Sequence, residues 1–404
     1  MINHLIIEPV NKDLKMSDIS IYIEGGSIID EKVGTSHIVE HLHFDAIHTG
    51  QYLLDAYNIQ GAFNAYTSID HVCYYMRIPD EHLFKGIQLI MKVIKKYKLT
   101  QKRIEDEYKI VLQEQSIRND NPNIWLYEKS FKYTFSGHSL ENISLDVPIQ
   151  KECYYNLKEL KSHCDRVYTK NNILLTVCSN VARNKIEKFI NKLTLPETIC
   201  GGLNTPLPYI LNTTSKNPRY ILYSRKFSKT YILISIPIEY NPNVTLKTVI
   251  TWYILIYILG NTGGISELFN YLRLKKKLIY SIRAGLDTSK YHKMVNITLS
   301  VSRNNINNSI RSIFHVIEDI KKGKLQISYN THKENLIKSI KTEIMENNSN
   351  VSDMLVDFIR TFGFIDITYE KVINTYTEIE LRDIISEAQN ILKLDSRCTI
   401  NVTK

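Results

Sequence analysis

Apolar residues in the first half of the chain recur with two different periods. Short segments that are apolar throughout or at every second position predict strands, and apolar residues three and four apart predict helices. The predicted strands are Leu5–Val10, Asp18–Ile23, Phe63–Thr67, His71–Ile78 and Ile173–Cys178. The predicted helices are Thr35–Phe44, Tyr52–Asn58, Asp80–Tyr97, Leu99–Arg118, Ile124–Thr134 and Lys151–Tyr168. Strands and pairs of helices are therefore mixed in this half.

The second half repeats the first in outline. Before it, the stretch LTLPETICGGLNTPLP is rich in proline and glycine and has no periodicity, which predicts a linker at 195–208. The predicted strands are Tyr220–Tyr223, Thr230–Ile238, Leu278–Leu286, Met294–Val301 and Cys398–Val402. The predicted helices are Val249–Leu259, Ile265–Lys276, Asn304–Lys322, Thr331–Glu346, Val351–Phe362 and Glu378–Leu392. We therefore predict an α+β fold of two homologous half-units, 1–194 and 209–404, each a mainly antiparallel sheet with helices packed on it.

Composition and charge argue against several classes of protein. The 404 residues are 43% hydrophobic, enough for two cores. The net charge of +9 is compatible with anionic partners, but the lysines are scattered apart from Lys275-Lys276-Lys277, so we expect no nucleic-acid binding. The most apolar segment, Val249–Leu259, is shorter than the ~20 residues that a membrane-spanning helix needs. We expect it to be a core helix and expect no membrane partner.

The cysteines and the first residues bear on localisation. Six cysteines, at 73, 153, 164, 178, 200 and 398, form no C-x-x-C pair, which favours reduced thiols of an intracellular protein over a disulfide framework or a zinc knuckle. The apolar run in MINHLIIEPVNKDLKMSD is too short for a signal peptide. The prediction is a cytoplasmic protein.

The main candidate for chemistry is the segment GTSHIVEHLHF, in the predicted helix Thr35–Phe44. Residues three and four apart share a helix face, so His37, Glu40 and His41 project into one small volume. Two imidazoles suit Zn²⁺, which needs a third protein ligand and an open position, and H-x-x-E-H occurs in zinc peptidases. Glu40 would then accept a proton from water. The alternative is a chance pattern in which two histidines one turn apart are partly exposed surface residues.

A source for the third ligand is the predicted helix Leu99–Arg118. It carries Glu107 and Glu114, which are two turns apart and nearly in line along one face. An acidic pair at this spacing can supply one metal ligand and one carboxylate that orients a histidine ligand. The sequence therefore predicts a site built from two separate helices.

The chain resembles the pitrilysin family of zinc peptidases, because H-x-x-E-H is followed by a helix with E-x6-E. This family includes insulin-degrading enzyme and the mitochondrial processing peptidase, and the chain is most similar to the two-domain form that the subunits of the processing peptidase represent. Other segments resemble the family in the same order. They are Gly25-Gly26-Ser27, Asp30-Glu31 and Gly34 before the motif, then Asn64-Ala65-Tyr66-Thr67 with Tyr74-Tyr75, like the family's N-A-x-T strand and the aromatic strand after it. Tyr168-Thr169-Lys170-Asn171-Asn172 resembles the Y-x-P-N-N junction, with Lys170 in place of proline.

The resemblance implies a zinc endopeptidase that holds one Zn²⁺ per chain and cleaves extended or unfolded peptides. The roles that it implies are His37, His41 and Glu114 as metal ligands, Glu40 as general base, and Glu107 as the residue that orients a histidine ligand. A peptide substrate would add a strand along Asn64–Thr67.

The second half has no metal motif but carries a further resemblance. The segment Gly263–Phe269, with Leu272-Arg273 and Leu278-Ile279-Tyr280, resembles the family's S-x-L-x-x-x-L-R-x-x-x-x-x-x-Y segment. By position, Arg273 and Tyr280 would bind the peptide backbone and stabilise the oxyanion. Ile279, where the family more often has a small residue, and the lysine run are departures. The alternative is a surface arginine and a tyrosine beside the core.

Chain length and the resemblance together predict assembly. Longer members of the family carry four such half-units in one chain, which enclose a chamber around the substrate at the zinc. Two-domain members form dimers that enclose the same kind of chamber. We expect a homodimer, with a heterodimer with a related chain as the other possibility, and Arg273 and Tyr280 offered in trans. Two other functions remain open. They are a non-catalytic structural or partner subunit of a pitrilysin-like complex, and a dedicated processing peptidase for one cognate precursor.

Overall fold

The first of two five-stranded sheets carries most of the candidate site. A computed structural model of the chain describes residues 3–47, 50–94, 99–143, 152–193, 217–225, 227–261 and 266–403. The strands of this sheet are β1 (Asn3–Ile7), β2 (Met16–Glu24), β3 (Ala62–Thr67), β4 (His71–Pro79) and β5 (Ile173–Cys178). Their order is β1-β5-β2-β4-β3, in which only the β1–β5 pair is parallel. The strand β3 therefore lies at one edge.

The second sheet repeats this order. Its strands are β6 (Arg219–Tyr223), β7 (Thr230–Pro237), β8 (Ile279–Thr288), β9 (Lys293–Val301) and β10 (Thr399–Thr403). The order is β6-β10-β7-β9-β8, with the β6–β10 pair parallel and the others antiparallel. Each strand occupies the position of the strand five numbers earlier in the first sheet. The predicted α+β fold with a duplicated, mainly antiparallel sheet is confirmed.

Fourteen α-helices accompany the sheets in the described ranges. The helices of the first half are α1 (Thr35–Ile47), α2 (Gly50–Asn58), α3 (Leu83–Ile90), α4 (Gln101–Asp120), α5 (Pro122–Thr134), α6 (Leu157–Val167) and α7 (Arg183–Ile190). Those of the second half are α8 (Leu246–Ile256), α9 (Glu267–Phe269), α10 (Ile306–Lys321), α11 (Tyr329–Glu346), α12 (Asn348–Phe362), α13 (Tyr369–Glu378) and α14 (Leu381–Ile391). A π-helical segment, Asn270–Lys275, follows α9 directly.

The chain divides into two compact units. Unit 1 comprises Met1–Ile117, Ile143–Pro206 and Thr342–Asp357, and unit 2 comprises Arg118–Asn142, Leu207–Lys341 and Phe358–Lys404. The segment Arg118–Asn142 belongs to unit 2 because α5 packs on β7 and β10, where its Trp125 and Leu126 join Leu233 in an apolar cluster. The predicted linker, 195–208, lies outside the described residues, so the division at 194 and 209 stays a prediction.

The core of unit 1 lies between its sheet and the helices that pack on it. The strand β2 lies between β4 and β5, and both of its faces are covered. Its Ile19, Ile21 and Ile23 are fully buried, and Ile38 and Leu42 of α1 join the same core. Burial of this apolar face therefore fixes α1 against the sheet, which leaves its other residues to form the site.

The predicted core helix of the second half is confirmed in its apolar part. In α8 the side chains of Val249, Ile250, Ile254 and Leu255 are fully buried, as expected for a helix apolar on most sides. Within the described residues, no helix combines the length and hydropathy needed to cross a bilayer.

Candidate metal centre

Local hydrogen bonds fix the start of α1, the helix that carries H-x-x-E-H. Both carboxylate oxygens of Asp30 accept the backbone N–H of Ser36, at 2.9 and 3.1 Å, and the Ser36 hydroxyl donates to the same carboxylate at 2.6 Å. An acidic group here satisfies an otherwise unpaired N–H of the first turn and complements the helix dipole. Gly34, with φ of 78°, supplies the left-handed residue that turns the chain into the helix. The orientation of the motif is therefore set before its first histidine.

The structure brings His37, His41 and Glu114 together. One ligand atom from each residue lies within 4.8 Å of the other two. The Oε2 atom of Glu114, on α4, is 3.6 Å from Nε2 of His37 and 3.3 Å from Nε2 of His41. The two imidazole rings, 4.8 Å apart, meet at 82°. Three donor atoms from two helices thus surround one point, as the spacing in the sequence predicted.

The donor set fits Zn²⁺. Two imidazole nitrogens and one carboxylate oxygen are ligands typical of catalytic zinc sites, and bonds of about 2.0–2.1 Å place tetrahedral ligand atoms about 3.3 Å apart. The observed separations of 3.3 and 3.6 Å match that spacing. They are longer than the ~2.7–2.9 Å of a charge-assisted hydrogen bond. The side chain of Glu114 is 46% exposed, so the centre has an open side that water or substrate can reach.

The structure places Glu107 beside the second histidine. Its Oε2 atom lies 3.4 Å from Nδ1 of His41, and its side chain is largely buried. This contact favours a proton on Nδ1 and leaves Nε2, the atom that faces Glu114, able to bind metal. Burial lowers the pKa of His41, but the contact with Glu107 and the charges of Glu40, Glu114 and Glu107 outweigh burial and raise it overall. A metal ion must therefore compete with a proton at this ring.

The carboxylate of Glu40 is buried next to the three ligand residues. Its residue is 8% exposed, and its Oε2 atom accepts a hydrogen bond of 3.0 Å from the hydroxyl of Thr67 on β3. Burial raises the pKa of Glu40 to about 7, although the charge of His41 and the bond from Thr67 oppose the rise. A divalent cation nearby would lower this pKa again. The sequence did not predict the contact with Thr67, because hydrogen bonds between separate elements leave no local pattern.

The strand β3 presents the predicted peptide-binding residues at a sheet edge. In the described part of the sheet it pairs with β4 alone. Its residues alternate in exposure, with Ala65 and Thr67 half-buried and Asn64 and Tyr66 exposed. The backbone N–H of Ala65 donates to the Asn64 side-chain oxygen at 2.9 Å. Because N–H groups alternate in direction along an antiparallel strand, this bond places the Ala65 N–H on the open edge.

The remaining predicted residues, Arg273 and Tyr280, lie in unit 2. Arg273 belongs to the π-helical segment Asn270–Lys275, and Tyr280 to the beginning of β8. Nη1 of Arg273 donates to the carbonyl of Ile279 at 3.0 Å, and its guanidinium lies 5.2 Å from the centre of the Tyr280 ring. Tyr280 is 72% exposed. The two side chains thus form one accessible pair, and their role at the metal centre stays a prediction.

Comparisons with known proteins identify the family. The family model described as insulinase (peptidase family M16) matches residues 6–146, and the model described as the peptidase M16 inactive domain matches residues 154–328. The two matches cover the H-x-x-E-H helix, the acidic helix α4 and the Arg273–Tyr280 segment.

The curated relatives that carry the name uncharacterized zinc protease include two proteins from Rickettsia. The protein from Rickettsia felis is 26% identical over 258 residues, which are 62% of this chain and 60% of the relative. The protein from Rickettsia bellii is 24% identical over 373 residues, 89% of this chain and 85% of the relative. The chain therefore spans less than two thirds of the first relative and most of the second.

A solved structure supports the fold. The crystal structure of a protease from Helicobacter pylori has a TM-score of 0.87 with this chain at 17% identity, over 100% of this chain and 97% of that one. Similarity at this identity concerns the fold alone. The two family matches show that the chain belongs to the insulinase family (peptidase family M16), as its resemblance to the pitrilysin family of zinc peptidases predicted.

Proposed function

We propose that this protein is a zinc-dependent endopeptidase that cleaves extended or unfolded peptides. The observation that carries the proposal is the meeting of three metal-ligand atoms and one buried carboxylate on α1 and α4, next to the edge strand β3. A histidine pair that was only part of a helix surface would not require two glutamates from a second helix beside it. It would also not require a hydroxyl group that binds the glutamate between the two histidines. Family membership and the names of the relatives support the same chemistry.

One zinc ion per chain would be held by His37, His41 and Glu114. Zinc supplies Lewis-acid polarisation of the scissile carbonyl and lowers the pKa of water toward ~7. The protein orients its own ligands for this task. Glu107 holds His41 by Nδ1, so Nε2 is presented to the metal position.

Glu40 is the proposed general base. Thr67 occupies its Oε2 atom, which leaves Oε1 to accept a proton from the attacking water and to return it to the leaving amine. Burial makes this carboxylate more basic than an exposed glutamate, since it raises the pKa to about 7 in the metal-free protein. The strand that would bind substrate therefore also orients the base.

The substrate would bind as an added strand on β3. A peptide carbonyl can replace the Asn64 side chain as acceptor for the Ala65 N–H, and such main-chain bonds select extended chains more than particular side chains. Arg273 and Tyr280 would contact the same peptide and stabilise the oxyanion. We further propose that two copies of the chain enclose the chamber in which this occurs, with a heterodimer as the alternative assembly.

Metal content and hydrolysis, measured on the same samples, test the proposal. Wild type should hold about one zinc per chain and should cleave an unstructured fluorogenic peptide. His41→Ala should lose both the metal and the activity. Glu40→Gln should keep the metal but lose activity by about 10²-fold or more, because it removes the general base.

Two outcomes would contradict the proposal. One is a wild-type protein without zinc after purification and zinc titration. The other is a Glu40→Gln variant that cleaves the peptide at the wild-type rate. His138→Ala provides a matched control, because this histidine lies in unit 2 and outside the ligand cluster.

A non-catalytic subunit is the second candidate function. It is favoured by the match of residues 154–328 to a family model described as an inactive domain. A protein that binds zinc stoichiometrically yet leaves every unstructured peptide intact would favour it. A dedicated processing peptidase would instead cut one sequence within a mixed peptide pool, whereas a general endopeptidase would cut many.

A further inference from the structure

A basic pocket surrounds Tyr280 in unit 2. It has a volume of about 630 Å³ and is lined by side chains from the start of β7, the end of the π-helical segment, β8 and the residue stretch after β9. Four of its lining residues are cationic, namely Lys229, Arg273, Lys277 and Arg303. No aspartate or glutamate is among the lining residues, so within the described chain this concave surface has positive charge alone. We call it the Tyr280 pocket.

Two of these cations converge on one ring. The guanidinium of Arg273 is 5.2 Å and the ammonium of Lys229 is 5.9 Å from the centre of the Tyr280 ring. These two distances place the cations no more than about 11 Å apart, close to the Debye length of about 8–10 Å, so the charges are only partly screened from each other. The ring offsets part of this repulsion. An anion bound in the pocket near both cations would offset more of it.

Contacts within the protein already hold some of the cationic side chains of the pocket in place. One N–H of Arg273 is bound to the carbonyl of Ile279 at 3.0 Å, which leaves other N–H groups of the planar fork for a carboxylate. The backbone of Lys277 is left-handed, with φ of 55°, where the π-helical segment ends and the backbone N–H of Leu278 bonds to Leu272. Glycine is the usual residue for this conformation. A lysine here adds charge to the pocket at a position where its backbone is disfavoured.

We propose that the Tyr280 pocket is an anion-binding subsite that receives acidic side chains of the peptide substrate. This inference rests on the proposed function, in which Arg273 and Tyr280 contact the peptide. It adds Lys229, Lys277 and Arg303 as residues that determine specificity. The pocket volume lies in the range of sites for small ligands, which leaves room for the side chain together with its flanking backbone.

Binding to the full-length Glu40→Gln chain tests the proposal without turnover. Two labelled peptides that differ only in glutamate or glutamine at several positions are compared by fluorescence anisotropy. The glutamate peptide should bind about tenfold more tightly, as one charge-assisted contact implies. The preference should decrease as salt is raised.

Lys277→Gly and Lys276→Gln, each built in the Glu40→Gln chain, form a matched pair. Each removes one positive charge from the same lysine run. Lys276, however, packs over Tyr271 at 5.6 Å and does not line the pocket. Lys277→Gly should weaken the preference for the glutamate peptide without lowering the melting temperature, because one of the four cations is lost while glycine suits the left-handed backbone. Lys276→Gln should keep the preference.

Three results would overturn the proposal. They are equal affinity for the two peptides, an equal loss of preference in both lysine variants, and displacement by inorganic phosphate with no discrimination between the peptides, which would assign the pocket to free phosphate. Failure of the proposed function looks different. In that case the binding preference persists while the wild-type enzyme with zinc hydrolyses neither peptide.

Discussion

At the scale of single residues, the site combines what spacing can predict with what it cannot. The positions of His37, Glu40 and His41 follow from helix geometry, and the acidic pair Glu107 and Glu114 supplies candidates for the third ligand, of which the family resemblance selects Glu114. The hydrogen bond from Thr67 to Glu40 joins residues on different elements, so the periodicity of the sequence cannot predict it. This bond ties the proposed base to the strand that would bind substrate.

Replacing Thr67 with valine tests that link. Valine keeps the shape of threonine but lacks the hydroxyl, so Glu40 loses a donor that lowers its pKa. We expect kcat to fall about tenfold, the typical effect of one hydrogen bond to a charged group. The acidic limb of the pH–rate profile should move to higher pH, because a weaker bond to the ionised form raises the pKa. Kinetics from pH 5 to 9 measure both effects.

Thr67→Ser is the control for this variant, since it restores the hydroxyl. It should recover most of the rate and the original pH profile. Zinc content should stay the same in both variants, because Thr67 lies outside the ligand cluster. Loss of zinc in Thr67→Val, or an unchanged profile, would show that the hydroxyl does not orient the base.

At the scale of secondary structure, the sequence predicted the long periodic elements but missed several shorter ones. The helix predicted over Glu378–Leu392 corresponds to α14, which begins at Leu381, whereas α13, which ends at Glu378, was not predicted. A reciprocal cap separates the two helices, with Asp383 accepting the backbone N–H of Glu380. The short helix α7 buries only Ile186 and Ile190, which is too few apolar positions to reveal a period.

The π-helical segment Asn270–Lys275 was also outside what pattern can predict. Apolar periodicity indicated an ordinary helix over Ile265–Lys276, of which Ile265 lies outside the described residues. A widened turn depends on how the segment packs and ends rather than on residue type, and such turns occur frequently at functional sites. In this protein it carries Arg273. The lysine that follows the segment, Lys277, takes the left-handed conformation.

The proposed pairing of substrate with the edge strand β3 predicts which backbone N–H groups of the substrate are needed for binding. If a peptide pairs with β3, every second peptide N–H bonds to the strand and the others point away. Methylating the N–H groups of a good substrate one at a time should therefore raise KM in alternation, by about tenfold at bonded positions and little between them. Steady-state kinetics on the methylated series measure this.

Alanine substitutions at the same substrate positions serve as the control, because they change side chains and leave every N–H in place. They should not show the two-residue alternation. A methylation series without alternation would contradict strand addition. It would leave the metal centre unaffected, since that centre is argued from different residues.

At the scale of the whole molecule, the chain is a duplication whose halves have diverged in chemistry. The two sheets share one strand order, so the fold of each half follows the same pattern of buried strands. In the described residues, the cluster of metal ligands lies in unit 1, and the basic Tyr280 pocket lies in unit 2. The segment 118–142 of the first half belongs to unit 2, and the segment 342–357 of the second half belongs to unit 1. Contacts of this kind connect distant residues, and local periodicity contains no information about them.

The proposed base and the proposed substrate contact lie in different units, which allows a test of assembly. Glu40→Gln disables the proposed base in unit 1, and Arg273→Ala removes the proposed substrate contact in unit 2. If each site in a homodimer combines Glu40 of one chain with Arg273 of the other, a mixed dimer contains one intact site of its two. Random exchange makes half of the dimers mixed, so an equimolar mixture should recover about a quarter of the wild-type activity. If both residues of a site come from one chain, no mixed dimer has an intact site, and activity should stay at the level of the separate variants. Two affinity tags, one on each variant, show whether exchange has occurred, and an inactive mixture with proven exchange would contradict sites completed in trans.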